Sequence, residues 1–249
     1  MDASDQNLVL SAYFNHVPDP QRRRSWTADL SSLEPLAHSV HARGNHILFF
    51  HNCFSEEHIR RVQDIAAFFR ISPDPAYQPS VYRWFCYLDY LNDHYHPYVF
   101  MVDSTDVEML RDPFQELRPG TLYCGDEYNR RLTAPYIQEK RYYVTDPDLQ
   151  NFLDTHRRLR LLNAGICGGD YETVVRFLEA LTGYHSQHSR HCPTSTDMPV
   201  FNYIVRRHFN TCLDHGPHVN TRFKKFEYQY RANWPHRWVF PLTPWWKHK

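Results

Sequence analysis

Short apolar runs of strand length alternate along the chain with stretches whose apolar residues recur at helical spacing. The first run is "NLVLSAYF", residues 7–14, and the two-proline segment "NHVPDPQRRRSW" after it reads as a loop. In "SSLEPLAHSVHARG", Leu33, Leu36, Ala37 and Val40 share one helical face, with Gly44 as the stop. "HILFF", 46–50, predicts a second strand. "SEEHIRRVQDIAAFFR" predicts a helix capped by Ser55, with two acids in its first turn and Ile59, Val62, Ala66 and Phe69 at helical spacing. "PSVYRWFCYLDYLND" puts Val81, Trp84, Phe85, Leu88 and Leu91 on one face, and the apolar strand Tyr98–Val102 follows. Further on, "DPDLQNFLDTHRRLR" predicts a helix capped by Asp148, and "LLNAGICGG", 161–169, a strand running into a turn. "DYETVVRFLEALTG" reads as a helix ending at Gly183, and "STDMPVFNYIVRRHF" as another that aligns Phe201, Ile204, Val205 and His208.

Strands alternating with helices predict an α/β sandwich with a mostly parallel sheet. No repeat or linker divides the chain, so a single domain over 1–249 is expected. In such folds ligands gather at the carboxyl ends of strands. Asn15, Asp103, Asp106 and Asn163 fall at such ends in this reading.

Composition narrows the classes. Apolar residues at 42% and aromatic ones at 16% are enough for a real core and argue against disorder. Lys plus Arg and Asp plus Glu both total 28, so no overall basic field calls for nucleic acid. Arg22-Arg23-Arg24 is a compact basic cluster, read either as a solvated turn or as a phosphate-facing patch. Six cysteines lack a C-x-x-C pair, no basic-then-apolar leader opens the chain, and no apolar run approaches the ~18 residues of a membrane span. These features predict a soluble, cytoplasmic protein.

The apolar strand ends abruptly in Asp103-Ser104-Thr105-Asp106. Acids in so apolar a context are either paired or placed where water and a ligand reach them. Asp103 reads as the cap of a short helical start, with Asp106 exposed. It reads equally as half of an acid pair that holds Mg²⁺ or Mn²⁺ against a diphosphate.

The surrounding motifs carry a resemblance. "YVFMVDSTDVEMLRDPF" is similar to the acidic motif of GT-A-type glycosyltransferases, "LLNAGICGG" to their N-A/S-G stretch, "TDMPVFN" to their D-Q/M-x-x-F/L-N element, and the terminal "WWKHK" to their late histidine. The four occur in the family's order over roughly residues 80–249. The resemblance implies a GT-A-like, Rossmann-type sandwich, with residues 1–110 as the nucleotide-binding half and 111–249 as the half for acceptor and donor sugar. The implied activity moves a sugar from a nucleotide-diphosphate sugar to a hydroxyl acceptor, with Mn²⁺ or Mg²⁺ as cofactor. Asp106 would be the principal metal ligand, Asp103 the first acid on ribose or metal, and His248 the third protein ligand. Asn163 and Gly165 would line the donor-sugar pocket, with Asp197 near the reacting sugar and Arg83 near the nucleotide. Tyr13 and Asn15 would approach base and ribose, and Lys249 the diphosphate. Asp197 or Glu127 would assist acceptor deprotonation. The acids are spaced D-x-x-D rather than D-x-D, which makes the contact of Asp103 with metal the open point.

Other readings attach to particular residues. His185, His188, His191 and Cys192 in "YHSQHSRHC" are either a zinc site or a polar loop. Cys167 is either a packed thiol or a nucleophile in need of a histidine. "FEYQYRANWPHRW" offers aromatic rings for stacking on bases or sugars. These keep two alternatives: a glycosyltransferase whose acceptor is a hydroxylated base in DNA, and a non-catalytic carbohydrate- or nucleic-acid-binding module.

Overall fold

The computed structural model describes residues 6–18, 27–221 and 244–248. The basic cluster 22–24, Lys249 and the aromatic segment 226–238, expectations of the sequence, lie outside the described residues.

The first half lays down β1 (Leu8–Tyr13), α1 (Glu34–His41), β2 (His46–His51), α2 (Glu56–Arg60), β3 (Ala67–Arg70), α3 (Pro79–Asp93) and β4 (Tyr98–Asp103). The second half adds β5 (Val107–Met109), β6 (Leu122–Arg131), α4 (Pro135–Lys140), α5 (Pro147–Thr155), β7 (Arg160–Asp170), α6 (Tyr171–His188), α7 (Asp197–His208), β8 (Leu213–His215) and β9 (Trp246–His248). Seven strands form one mixed, mostly parallel sheet in the order β3-β2-β1-β4-β7-β6-β8. Within it only β7 opposes its neighbours, pairing antiparallel with β4 and β6. The sheet therefore crosses residue 110 without a break, and the α/β expectation holds at that level.

Period-two side chains split the core between the sheet's two faces. Leu8 and Leu10 of β1 join Trp84, Phe177 and Phe201 on the face covered by α3, α6 and α7. Val9 joins Phe49, Phe100 and Trp246 on the face covered by α1. Each such aromatic contributes roughly 1.5–3 kcal/mol by burial. Among the described residues no helix is long and apolar enough to cross a membrane. All six cysteines are free.

Four local expectations are corrected. The helix read over 55–70 stops at Arg60, and Ala67–Arg70 instead extends the sheet edge by pairing parallel with Leu48–His51. Val62 and Ala66 are buried as helical spacing demands, yet the open edge of β2 offers a ladder that outcompetes further helix. Gly168 and Gly169 are not a turn but the middle of a long strand. A Cβ on Gly168 would lie 2.5 Å from the Phe100 ring, and one on Gly169 would lie 2.6 Å from the Thr121 carbonyl, so both permit close strand approach. Gly183 does not stop its helix. α6 runs on to His188 because buried Leu181, Thr182 and His185 offset the ~1 kcal/mol cost of an interior glycine. The cap of α5 is Asp146, whose carboxylate accepts from the Asp148 amide, with Pro147 at the first helical position.

Candidate functional site

β4 leaves the core at Asp103, bends through Ser104–Asp106, and re-enters an extended path as β5. β5 pairs antiparallel with β9, with Val107 opposite His248. This pairing joins residues separated by most of the second half and brings three side chains together. The His248 Nε2 lies 4.0 Å from Asp103 Oδ2 and 3.9 Å from Asp106 Oδ1. Taken as one donor each, the three groups lie within 4.8 Å of one another. The histidine is held from behind, its amide donating to Thr221 Oγ1 at 3.0 Å.

The electrostatics suit a cation. The two carboxylates are about one-third exposed while His248 is buried. Burial lowers the His248 pKa against the pull of Asp103 and Glu127, so the ring offers a neutral nitrogen. Two hard oxygens and one neutral imidazole are a donor set that Mn²⁺ and Mg²⁺ accept, and bonds of ~2.1 Å bridge the separations seen, with small carboxylate rotations.

Arg83 sits behind Asp103. One arm of its guanidinium bonds Asp103 Oδ1, and the other reaches Asp197 Oδ2 at 3.0 Å and the Ala164 carbonyl at 2.9 Å. Burial works against the arginine's charge, and Asp103 and Asp197 outweigh it, so its pKa is raised. Asp103 is thus shared: Oδ1 is taken by Arg83 while Oδ2 lies 4.0 Å from His248 Nε2. Asp197, at the start of α7, is buried with both oxygens engaged, the second accepting from Trp84 Nε1 at 2.8 Å. Burial pushes its carboxyl pKa up, opposed by Arg83 and Trp84.

β7 supplies the next wall. Asn163 Nδ2 donates to Glu127 Oε1 at 2.7 Å, and Asn163 Oδ1 accepts from the Gly165 amide at 2.6 Å. Because β7 runs antiparallel, Asn163 belongs to its amino-terminal half rather than to a carboxyl end, and reaches the same rim from the opposite direction. A Cβ on Gly165 would overlap the Asp103 carboxylate, so only glycine leaves Asp103 its position. Burial raises the pKa of Glu127, opposed by the Asn163 hydrogen bond and by His248 and Arg130.

Tyr13 ends β1 one residue beyond Ala12, which pairs with Asp103, and its hydroxyl donates to the Thr27 carbonyl at 2.6 Å. Burial pushes the Tyr13 phenol up to about 12. The Asn15 amide donates to Asn52 Oδ1 at 3.0 Å. These two residues thus stand at the same rim, at the end of β1.

Sequence reasoning read Trp84 only as core, yet it holds Asp197. It passed over Thr221 and Tyr136, the latter with its pKa raised by burial and by nearby Glu127. An indole at helical spacing gives no hint of a polar partner, and nothing local marks Thr221. The histidine group at 185–192 does not assemble. His185 is buried in α6 against Ser189 Oγ at 2.9 Å, and the acid–histidine trio above is the metal-type group found among the described residues. Cys167 faces Cys124 across the ladder at 3.8 Å, both packed thiols.

Comparison of the sequence with protein-family models and with curated proteins finds no match.

Proposed function

We propose that this chain is a metal-dependent glycosyltransferase of the GT-A type, moving a sugar from a nucleotide-diphosphate sugar to an acceptor hydroxyl. The observation that carries the proposal is the convergence of Asp103, Asp106 and His248 at the carboxyl rim of a mostly parallel sheet. Mn²⁺ or Mg²⁺ held by these three would supply Lewis-acid stabilisation of the departing diphosphate. The order of the four motifs in the sequence supports the same family.

The protein's own groups then divide the work. Arg83 fixes Asp103 through one oxygen, so the other keeps its aim without a search through rotamers. Asp197 holds Arg83 and is itself held by Trp84, which makes it a positioning residue. Asn163, oriented by Glu127 and Gly165, offers amide chemistry to a sugar hydroxyl. Glu127 is the carboxyl suited to hold or accept an acceptor proton, because burial raises its pKa toward the working range. Tyr13 and Asn15 flank the end of β1, where a nucleotide base and ribose would lie.

The test is hydrolysis or transfer from a panel of nucleotide sugars, with Mn²⁺ and with chelator. Wild-type protein turns over one donor only with metal, and Asp106→Ala loses that turnover while keeping its circular dichroism. An Asp106→Ala protein as active as wild type with metal present would end the proposal.

A further inference from the structure

A concave site lies apart from the acid–histidine rim. A cavity of about 510 Å³ runs along α3, walled by the segment after β3 and by Arg190 beyond α6. Its floor is aromatic: the Tyr77 and Phe85 rings stand 4.7 Å apart, and Tyr82 and Phe85 lie within 24° of parallel at 6.4 Å. Tyr82 and Phe85 are half-buried, so part of each ring faces the groove. Its edges are polar, with Asp74, Asp89 and Arg190 among the lining groups.

The walls are fixed to each other. The His191 amide donates to the Ala76 carbonyl at 2.7 Å, and Ser80 Oγ and Ser195 Oγ share a hydrogen bond of 2.5 Å. His191 adopts φ 60° to make this contact, a left-handed backbone that a non-glycine residue takes only when its surroundings hold it there. The groove is therefore preformed. Its two walls continue directly into the site already described: α3 carries Arg83, and the loop through Ser195 leads to Asp197.

We infer that this groove is a second carbohydrate site, which binds a neutral oligosaccharide and anchors the acceptor away from the point of transfer. Partly exposed rings match the apolar face of a pyranose, while carboxylate, amide and guanidinium groups bond its hydroxyls. Two acids against one arginine leave no excess positive charge for a phosphorylated or sulfated chain. From Tyr82 to Asn92 the floor extends ~15 Å along the helix at ~1.5 Å per residue, longer than a single sugar ring. That the occupant is the acceptor rests on the transferase reading; that the groove binds a neutral saccharide does not.

The test is calorimetric titration of the whole chain with maltohexaose, cellohexaose, mannohexaose, xylohexaose and chitohexaose. At least one binds. Phe85→Ala and Arg190→Ala each weaken it by about tenfold or more, and Asp106→Ala leaves it unchanged. Arg190 is exposed, so its variant keeps the wild-type melting temperature even if Phe85→Ala does not. Binding of none of the five, binding untouched in the Arg190→Ala protein, binding lost in Asp106→Ala, or a dimer that forms through the groove would each overturn the inference. If a hexasaccharide binds with this mutational pattern and no nucleotide sugar is turned over, the groove stands and the transferase reading falls.

Discussion

Two of the carboxylate–histidine groups at this sheet are built in opposite ways. Asp126 of β6 is fully buried, and each of its oxygens has a partner: Arg160 at 2.9 Å and His215 at 2.8 Å. Asn220 closes the group by bonding the Asp126 backbone in both directions, accepting from its amide and donating to its carbonyl. At the other group, Asp103 and Asp106 each bring one oxygen to about 4 Å from the His248 ring at the rim, with a third of each carboxylate exposed, while the other oxygen of Asp103 bonds Arg83. The first arrangement satisfies its charge internally and has nothing left to offer. The second gathers two partly exposed carboxylates around one histidine, an arrangement open to a cation from solvent. Residue type alone does not separate a closed carboxylate from an open one; its partners and its exposure do.

The comparison breaks most visibly on stability. Asp126→Ala removes two charge-assisted hydrogen bonds from a buried position and is expected to cost about 3 kcal/mol, read from urea unfolding. Asp106→Ala alters a partly exposed side chain at the rim and is expected to stay within about 0.5 kcal/mol of wild type in metal-free buffer. Equal losses in the two variants would erase the distinction.

Acid titration gives the next effect. His51 is held near pKa 4 and His185 near 3 by burial, and His248 is lowered for the same reason. A histidine whose pKa is depressed on folding gives stability that is complete above its unfolded value of ~6.5 and is lost as the pH falls below it toward the folded value. Lowering the pH from 7 to 5.5 should therefore cost about 1.2 kcal/mol for each histidine that folding keeps neutral. His248→Gln should flatten part of that slope. A flat profile in the wild-type protein would contradict the burial argument.

A smaller effect separates the groups by a single methyl. Gly165→Ala pushes on the Asp103 carboxylate and is expected to weaken Mn²⁺ binding about tenfold, or ~1.4 kcal/mol, by titration. Gly125→Ala, on the neighbouring strand beside Asn220, meets its nearest atom at 3.2 Å and should leave Mn²⁺ affinity unchanged.

Much of this was legible in the sequence because it is local. β1, β2 and β4, and the helices that begin at Pro79 and Asp197, follow from apolar period. The trio at the rim was reached through the motif order around Asp103, Asp106 and His248, not from spacing. What escaped depends on partners distant in the chain. Ala67–Arg70 reads as helix until β2 offers its edge. β6 carries Gly125 and the polar run Asp126–Arg131, so no apolar alternation announces a strand; its pairing with β7 makes it one. The Arg83 bridge between Asp103 and Asp197 joins residues 20 and 114 positions away, and no periodicity records such a contact.

The most direct measurement is a calorimetric titration of Mn²⁺ into wild-type protein, Asp106→Ala, His248→Ala and Asp126→Asn. The account predicts one site per chain in the wild type, its loss in Asp106→Ala and His248→Ala, and its retention in folded Asp126→Asn. Unchanged Mn²⁺ binding in the Asp106→Ala protein would contradict it.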